Sequence, residues 1–296
     1  MEGYHRSVLL REVLENLQVL RGSWYLDCTL GDGGHTLEIL KRGGKVVGID
    51  ADPEGVKRAK QRLGSLGYLG NAVLIQGNFR DLKNLMQQVD LADQKFAGAI
   101  FDLGVSSLQL ESSKRGFSFS KLGPLDMRMD PSLQVKAADL LNVLSRKELD
   151  ELFKNLGEEK YSKRLADALV LAREVKSFTT TEDLAKEVVG VLGGIGGKIH
   201  PATRVFQALR IAVNDELNAL KEGLTQVKEK VERGSVLVIS FHSLEDRIVK
   251  FTFREWEKLG LGEVKTKKPI VTSREETIRN PRSRSAKMRV FKVNSL

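Results

Sequence analysis

Residues 24–50 read WYLDCTLGDGGHTLEILKRGGKVVGID, and this stretch decides the fold. Two short apolar runs, 24–30 and 45–50, predict strands, and residues 35–42 predict a helix that follows the loop GDGGHT. Short apolar strands that alternate with helices are typical of a parallel sheet covered on both faces. Glycines in such a loop let the backbone approach a ligand and expose N–H groups near a helix N-terminus.

The same alternation continues outward from this stretch and is then interrupted. Further strands are predicted at 72–75, 96–101, 235–240, 269–272 and 288–294, whereas the period from about 132 to 230 is helical. Within that region, apolar residues in steps of three and four from 205 to 231 predict one long helix. We therefore predict an α/β domain formed by residues 1–106 and 213–296, with an all-helical insertion at 107–212.

Residues 102–130, DLGVSSLQLESSKRGFSFSKLGPLDMRMD, follow the fourth predicted strand without a sustained helical or alternating period. An irregular stretch of this length is uncommon in a compact domain unless it is functional or disordered. Its apolar residues, among them Phe117, Leu125 and Met127, disfavour disorder because a solvated linker lacks such anchors. We expect an ordered loop that contributes to a binding site.

The composition favours a globular protein with a basic C-terminal region. Hydrophobic residues make up 41% of the chain, and no apolar run approaches the ~20 residues that span a bilayer. The single cysteine, Cys28, fits a reducing, cytoplasmic setting, and the four histidines make no metal-ligand pattern. Residues 261–296 carry ten Lys and Arg against three Glu, so most of the net charge of +9 lies there. The cluster at 279–289 indicates either a phosphate-contacting surface, which we favour, or a solvated tail.

The glycine loop and a nearby acid suggest a nucleoside ligand. Asp50 ends the second predicted strand, 19 residues after Gly31, where a carboxylate can accept hydrogen bonds from both hydroxyls of a ribose. The alternative interpretation is that the loop is only a tight turn and that the Asp caps a helix N-terminus. The NAD fingerprint fails at Thr36, and a Walker loop fails because Leu192 replaces its leading glycine. S-adenosylmethionine fits better because it has no phosphate, and Phe79 is a candidate either to stack on its adenine or to pack in the core.

Several longer motifs of the chain are distinctive: GDGGHT, GNF, DLGVSS, RGFSF followed by GPLDMRMD, HPATRVFQALRIAVNDEL, SFHSLEDRIVK and NPRSRSAKMR. Together they resemble the bacterial ribosomal RNA small-subunit methyltransferase H family, also called MraW, and the similarity extends from His5 to Val293. The resemblance implies a class I S-adenosylmethionine-dependent methyltransferase, which has a Rossmann-like, mostly parallel sheet, with an inserted helical domain. It also implies N4-methylation of a decoding-centre (P-site) cytidine in 16S rRNA, with S-adenosylmethionine as donor and no metal.

The resemblance also implies a set of cofactor-binding positions: Gly33, Gly34, His35, Asp50, Phe79, Asp102 and Gln109. The sequence departs from the family pattern at Leu108, where many relatives have proline. Without this proline, we expect a looser loop around Gln109. Asp102 follows the fourth predicted strand, where other amino-methylating enzymes place an acidic or amide side chain. Asp102 is positioned to contact the methionine amine of the donor, the target amine or both. We expect it to be catalytic and, with nearby backbone carbonyls, to accept the amino hydrogens of the cytosine. The alternative is an Asp that satisfies loop N–H groups.

The RNA is expected to be held by cations. Arg115, Arg128, Lys198, Arg204 and the 279–289 cluster are predicted to contact phosphates. The expected partner is 16S rRNA, within the small ribosomal subunit and in the cytoplasm, with no membrane; monomer and homodimer both stay open. 

Two other functions compete with this one. A methyltransferase for DNA or another RNA would carry identical cofactor motifs, so only its substrates distinguish it. A non-enzymatic RNA-binding factor is disfavoured by the intact glycine loop, Asp50 and Asp102. Ser243 and Asp246 have the spacing of a capping box for the helix after the fifth strand, which we prefer to a hydrolytic triad.

Overall fold

The computed structural model describes residue 4 and residues 6–193 and 200–294. Contacts divide the chain into two compact units, one formed by residues 1–104 and 217–296 and the other by Val105–Glu216. The sequence placed the insertion at 107–212, so the second unit begins two residues earlier and ends four residues later than predicted.

The strands are β1 (Trp24–Asp27), β2 (Lys45–Asp50), β3 (Ala72–Gln76), β4 (Phe96–Asp102), β5 (Val231–Ser240), β6 (Gly262–Val264), β7 (Ile270–Val271) and β8 (Lys287–Val293). The helices are α1 (Leu10–Leu17), α2 (Gly34–Lys41), α3 (Pro53–Ser65), α4 (Leu82–Gln88), α5 (Ser107–Glu111), α6 (Ala137–Val143), α7 (Arg146–Gly157), α8 (Ser162–Val175), α9 (Thr181–Leu192), α10 (Ala202–Asn214), α11 (Glu216–Lys230), α12 (Ser243–Lys258) and α13 (Arg274–Arg279). In the described ranges, none of these helices has the length and apolar character that a bilayer crossing requires.

The strands of the first unit form one sheet in the order β3-β2-β1-β4-β5-β8-β6, and β7 pairs with β8. β1 to β5 pair in parallel, whereas β8 runs antiparallel to β5. β1 therefore lies between β2 and β4, and the carboxyl ends of these three strands meet at one edge of the sheet.

Both faces of the sheet are buried. Tyr25 of β1 packs in one apolar cluster with Val46, whereas the next residue, Leu26, packs in another with Val47. Because successive side chains of a strand point to opposite faces, the two clusters lie on opposite faces of the sheet. This arrangement confirms the predicted α/β fold. Cys28 lies in the second cluster, where burial raises the pKa of its thiol well above the usual value.

The second unit has a core of its own, formed by its helices, by the irregular segment that follows α5 and by Phe178 of the loop between α8 and α9. Its buried residues include Leu141, Leu149, Phe153, Leu165, Leu184 and Leu209. Phe117, Leu125 and Met127 of the irregular segment are buried in the same core. The Leu125 N–H also donates to the Thr179 carbonyl at 2.9 Å. The segment is therefore ordered by the anchors that the sequence indicated.

The single long helix predicted across 205–231 is wrong. The chain forms α10 and α11 instead, separated at Asp215, whose φ of 48° lies in the left-handed region. The side chain of Asn214, the last residue of α10, donates to the Met127 carbonyl and accepts from the Met129 N–H, both at 2.7 Å. The spacing of apolar residues in steps of three and four continues across the break, so the sequence periodicity did not indicate where α10 ends.

Candidate active site

Three acidic side chains lie at the carboxyl ends of adjacent strands of the first unit. Asp27 ends β1, Asp50 ends β2 and Asp102 ends β4. Ligands of open α/β sheets bind outside this edge of the strands. The edge combines two residues that the sequence singled out with Asp27, which it did not.

The glycine-rich loop forms a tight turn between β1 and α2. Gly31 and Gly33 have φ values of 53° and 77°, a region that favours glycine. The turn is also crowded, because a Cβ on Gly34 would lie 2.1 Å from Ser7 Oγ and one on Gly33 would lie 3.3 Å from Ala59 Cβ. The backbone conformation and the close packing together explain glycine at 33 and 34.

Asp50 fixes this turn to the end of β2. Its Oδ2 accepts a hydrogen bond from the Gly31 N–H at 2.6 Å, and its Oδ1 accepts one from the Asp52 N–H at 2.8 Å. Burial raises the pKa of Asp50 to about 6, while the two N–H donors act in the opposite direction. An ionised carboxylate has about four lone-pair sites, so two remain for the hydroxyls of a ligand.

A strand-end network of five polar residues joins β1, β4 and the start of α2. Asp27, which is 1% exposed, accepts from the Thr36 hydroxyl at 2.7 Å and from the Thr29 N–H at 3.2 Å. The Thr29 hydroxyl accepts from the Asp102 N–H at 2.6 Å. His35 completes the network, since its Nε2 lies 3.4 Å from Asp102 Oδ2. Burial raises the pKa of Asp27, and the Thr36 hydrogen bond and the nearby His35 lower it.

Sequence reasoning missed Asp27 and Thr36 as members of the site. Thr36 served only to exclude a dinucleotide fingerprint, whereas its hydroxyl is the partner of a buried carboxylate. The available signal was an acidic residue inside an apolar strand, because a buried carboxylate requires hydrogen-bond partners.

The alternative role of Asp102, that of satisfying N–H groups of the loop, requires its carboxylate to accept hydrogen bonds from them. The carboxylate is not held in that way. Its side chain is 22% exposed, and its Oδ1 is a buried atom without a hydrogen-bond partner among the described residues. A carboxylate in this state retains the capacity to accept hydrogen bonds from a ligand.

Phe79 lies just past β3, in a short 3-10 turn. Its ring packs edge-on against Phe101, with centroids 5.3 Å apart, and a Cβ on Gly223 would come within 2.5 Å of the ring. Because the residue is only partly buried, Phe79 combines core packing on one side with surface that a ligand can reach.

Gln109 belongs to the second unit, where it helps to cap α5. Its Oε1 accepts from the Ser106 N–H at 2.9 Å, and its own N–H donates to Ser106 Oγ at 3.2 Å. This is a capping box, and it forms with Leu108 in place of proline. The cofactor contact of Gln109 stays a prediction.

Two arginines that were predicted to hold phosphates organise the irregular segment of the second unit. Arg128 binds both oxygens of Asp126, at 2.7 and 2.8 Å, and Arg115 donates to the carbonyls of Arg128 and Met129 at 2.8 Å. Arg204 lies 3.6 Å from a carboxylate oxygen of Glu159. These intramolecular contacts weaken the phosphate interpretation for all three, and Lys198 lies outside the described residues.

The basic cluster at 279–289 has an outward and an inward part. Arg279, at the end of α13, and Arg282 and Arg284 of the following 3-10 turn are exposed, and the buried residues Asn280 and Ser283 lie between them. Arg289 is only 6% exposed and binds Asp246 of α12 at 2.7 and 3.1 Å. The phosphate prediction therefore applies to the three exposed arginines and is wrong for Arg289.

The predicted cap of α12 is also wrong. The capping residue is His242, whose Nδ1 accepts from the Glu245 N–H at 3.4 Å, while Glu245 accepts from the Phe241 N–H at 2.8 Å. Ser243 is instead the first residue of the helix. The spacing rule failed because His242 has an acceptor nitrogen that serves as a cap and because Asp246 pairs with Arg289.

The chemistry of this edge fits a cationic nucleoside better than one that carries phosphates. Asp27, Asp50 and Asp102 together form a negative region that would repel a phosphate and attract a cation. Asp50 has acceptor sites for ribose hydroxyls, and Asp102 has an oxygen that no described residue binds and that a donor can reach. S-adenosylmethionine carries the hydroxyls, an ammonium group and a positive sulfur.

Comparisons with known proteins agree with this chemistry. Residues 2–294 match the model of the MraW methylase family. The chain is 43% identical over 293 residues to the ribosomal RNA small subunit methyltransferase H of Persephonella marina, covering 97% of this chain and 98% of that protein. It is 44% identical over 307 residues to the protein of the same name from Carboxydothermus hydrogenoformans, covering 98% and 97%. An rRNA methylase structure from Streptococcus thermophilus aligns over 99% of this chain and all of that one, at 11% identity and a TM-score of 0.46.

The sheet order, the glycine turn and the strand-end carboxylates define the class of protein, an S-adenosylmethionine-dependent methyltransferase of the class I fold with a helical insertion. Within that class, the chain belongs to the MraW methylase family. The predicted family, fold class and methyl donor are confirmed.

Proposed function

We propose that this protein methylates the N4 atom of a decoding-centre (P-site) cytidine in 16S rRNA of the small ribosomal subunit. Relatives that match nearly the whole chain are named as small-subunit rRNA methyltransferases. The observation that carries the proposal is the Asp102 carboxylate, which ends β4 beside the glycine turn and has an oxygen without a hydrogen-bond partner among the described residues. We place the reaction in the cytoplasm, where ribosomal subunits assemble.

The residues proposed to bind the methyl donor are Gly33, Gly34, His35, Asp50, Phe79, Asp102 and Gln109. Asp50 accepts the ribose hydroxyls with the lone pairs that Gly31 and Asp52 leave unused, and Phe79 offers the reachable part of its ring to the adenine. S-adenosylmethionine supplies a methyl group bound to a positively charged sulfur.

The role of Asp102 follows from the weakness of the nucleophile. The lone pair of the cytosine N4 atom is delocalised into the ring, so the amine attacks poorly. A carboxylate that accepts a hydrogen bond from this amino group localises the lone pair and aligns it. Such a charge-assisted hydrogen bond is strong, and more so where solvent is excluded. Alignment of the reacting atoms supplies much of the remaining rate.

The cytosine has to leave its stack before N4 can reach the donor. Contacts to the RNA backbone then hold the strand in place, and Arg279, Arg282 and Arg284 are suited to this because all three are exposed. Replacing all three by Gln should weaken rRNA binding and reduce the salt dependence, by about 0.7–0.9 in log–log slope for each lost phosphate contact. An unchanged slope would show that these arginines do not contact RNA phosphates.

The direct test offers the protein several substrates with S-adenosylmethionine and identifies the products by nucleoside mass spectrometry. Small subunits isolated from cells lacking the protein should yield N4-methylcytidine, and DNA should yield no product. Naked 16S rRNA distinguishes free RNA from the assembled subunit. A different methylated nucleoside would show that the substrate is not the one proposed. RNA binding without methylation would support the alternative of a non-enzymatic RNA-binding factor.

Asp102→Asn is the matched variant, since it preserves size and one oxygen acceptor but removes the charge. We expect turnover to fall about 10²- to 10³-fold, in the range seen when a positioned electrostatic group is removed, with a smaller change in donor affinity. Full activity of this variant would contradict the role of Asp102.

A further inference from the structure

The outward side of α12 combines three cations with an aromatic ring. Lys250, Phe251, Arg254 and Lys258 are spaced so that they lie on one side of the helix. Arg254 and Lys258 are exposed, and Lys250 is partly exposed. The opposite side of the helix packs into the core of the first unit through Val249, Phe253 and Trp256. We call the four outward residues the α12 surface.

Phe251 is the most exposed aromatic side chain of the described residues. It is 58% exposed, against 44% for Tyr161 and 38% for Tyr4. A single exposed apolar residue is common on protein surfaces, but this ring lies within a row of cations, and Lys250 Nζ is 5.9 Å from its centroid. Single-stranded nucleic acid binds to this combination, because a base stacks on the ring while cations hold the phosphates.

The three cations are not neutralised within the fold. Among the residues that the structure describes, Lys250, Arg254 and Lys258 form no ion pair, whereas Lys186 of α9 pairs with Glu182 one turn away. The three follow one another at steps of four residues, where like charges repel and destabilise a helix. The helix C-terminus favours cations in its last turn, which accounts for Lys258 but not for Lys250. The repulsion would be relieved by an anionic ligand.

Charge and the isolation of the ring decide between possible partners. The acidic residues of the same turns, Glu255 and Glu257, project to either side of the α12 surface, and Glu257 also accepts from the Val264 N–H at 2.8 Å. A second copy of this chain would bring cations against cations in a two-fold contact. A partner that binds by apolar contacts would meet a single ring. A single RNA strand matches both the charge and the ring.

The α12 surface begins close to the proposed reaction site. β5 runs beside β4, and Ile239 of β5 is the register partner of Asp102. α12 begins at Ser243, four residues after Ile239, so its N-terminus lies at the same edge of the sheet. From Lys250 to Lys258 the surface extends about 12 Å along the helix. An RNA strand bound along α12 can therefore continue to the strand ends.

We propose that the α12 surface binds an unpaired stretch of the substrate RNA, with one base stacked on Phe251 and phosphates held by Lys250, Arg254 and Lys258. The contact does not select a sequence, because every base has a face that can stack. It anchors the strand that carries the target cytidine and takes no part in methyl transfer. The proposal deepens the proposed function and rests on it for RNA as the substrate.

Phe251→Leu tests the stacked base, because leucine is apolar and favours a helix but has no ring. The full chain with this change should bind naked 16S rRNA about 10-fold more weakly in filter binding, within the range for the loss of one stacked base. The salt dependence of binding should not change. Phe251→Tyr retains a ring and should bind like the wild-type protein. For both variants, kcat at saturating RNA should equal that of the wild-type protein.

A double variant, Arg254→Gln with Lys258→Gln, tests the phosphate contacts. Its log–log salt slope for 16S rRNA binding should be smaller by about 1.4, since each lost contact to a single strand removes about 0.7. The matched control is Lys57→Gln with Lys60→Gln, which removes the same charge from exposed positions of α3 and should leave the slope unchanged. An equal loss in the control would show that only the net charge matters and would overturn the assignment.

Two further results would overturn the proposal. One is an unchanged affinity of Phe251→Leu for 16S rRNA. The other is weaker binding of this variant to isolated small subunits with unchanged affinity for naked 16S rRNA, which would make the partner a ribosomal protein. Failure of the proposed function looks different, because the wild-type protein would then form no N4-methylcytidine while Phe251→Leu still weakened RNA binding.

Discussion

Asp50 gives the sharpest quantitative prediction, because its carboxyl has a raised pKa and is required for the proposed ribose contact. Its pKa of about 6 in the folded protein exceeds the ~3.9 of an exposed Asp by about two units, which corresponds to about 3 kcal/mol. Since the residue is only partly buried, we expect about 2 kcal/mol after allowance for solvent screening. A raised pKa means that the folded state favours the neutral carboxyl. The stability is therefore present below pH ~4 and is lost as the pH rises through about 6.

Asp50→Asn removes this titration. Urea unfolding of both proteins at pH 4.5, 6 and 7.5 gives the difference in their free energies of unfolding, in which the other carboxyl groups cancel. That difference should shift in favour of the variant by about 1 kcal/mol between the lowest and the highest pH, because part of the titration already lies below pH 4.5. A constant difference, or a shift towards the wild-type protein, would refute the assignment of a strained, ionised Asp50.

The same variant should lose affinity for the cofactor. Hydrogen bonds to a charged group contribute about 1.5–3 kcal/mol each, so we expect S-adenosylmethionine to bind roughly 100-fold more weakly at pH 7.5 by calorimetry. The wild-type affinity should decline below pH 6 as Asp50 is protonated, and the affinity of the variant should not. Equal affinities at pH 7.5 would show that Asp50 does not contact the ligand.

Two further predictions concern the packing of the site. Gly34→Ala should destabilise the protein by about 1–3 kcal/mol, as overpacking does, because its Cβ would lie 2.1 Å from Ser7 Oγ; Ser7→Ala should recover part of this loss in thermal unfolding, and no recovery would place the strain elsewhere. Thr36→Val keeps the shape but leaves the buried Asp27 carboxylate without its hydroxyl partner, so urea unfolding at pH 7.5 should show a loss of about 2 kcal/mol. An unchanged midpoint would mean that water replaces the hydroxyl at no cost.

Much of the first unit could be predicted because its determinants are local. The apolar run at 45–50 is β2 as predicted, and the other strands of the parallel core differ by a few residues at their ends. The glycine turn and Asp50 were predictable for a related reason, since the carboxyl ends of adjacent parallel strands lie at the same edge of a sheet.

What the sequence did not show depends on contacts between distant residues. The bond between Thr36 and Asp27 pairs two positions whose individual patterns indicate only a helix and a strand. The helix break at Asp215 is held by Asn214 and the irregular segment more than 80 residues earlier in the chain. Arg115, the arginine of RGFSF, was predicted to contact RNA. The sequence does not distinguish an exposed arginine from one that donates to carbonyls within the fold, as Arg115 does.

The central claim is that this chain methylates N4 of one cytidine in the decoding centre of the small ribosomal subunit. Mass mapping of small-subunit rRNA from cells that lack the protein tests it most directly, with cells that express the wild-type chain or Asp102→Asn for comparison. We predict that the N4-methyl group at a decoding-centre cytidine is lost without the protein, returns with the wild-type chain and does not return with the variant. An unmodified mass pattern at that cytidine in all three strains, or a methyl group that persists without the protein, would contradict the account.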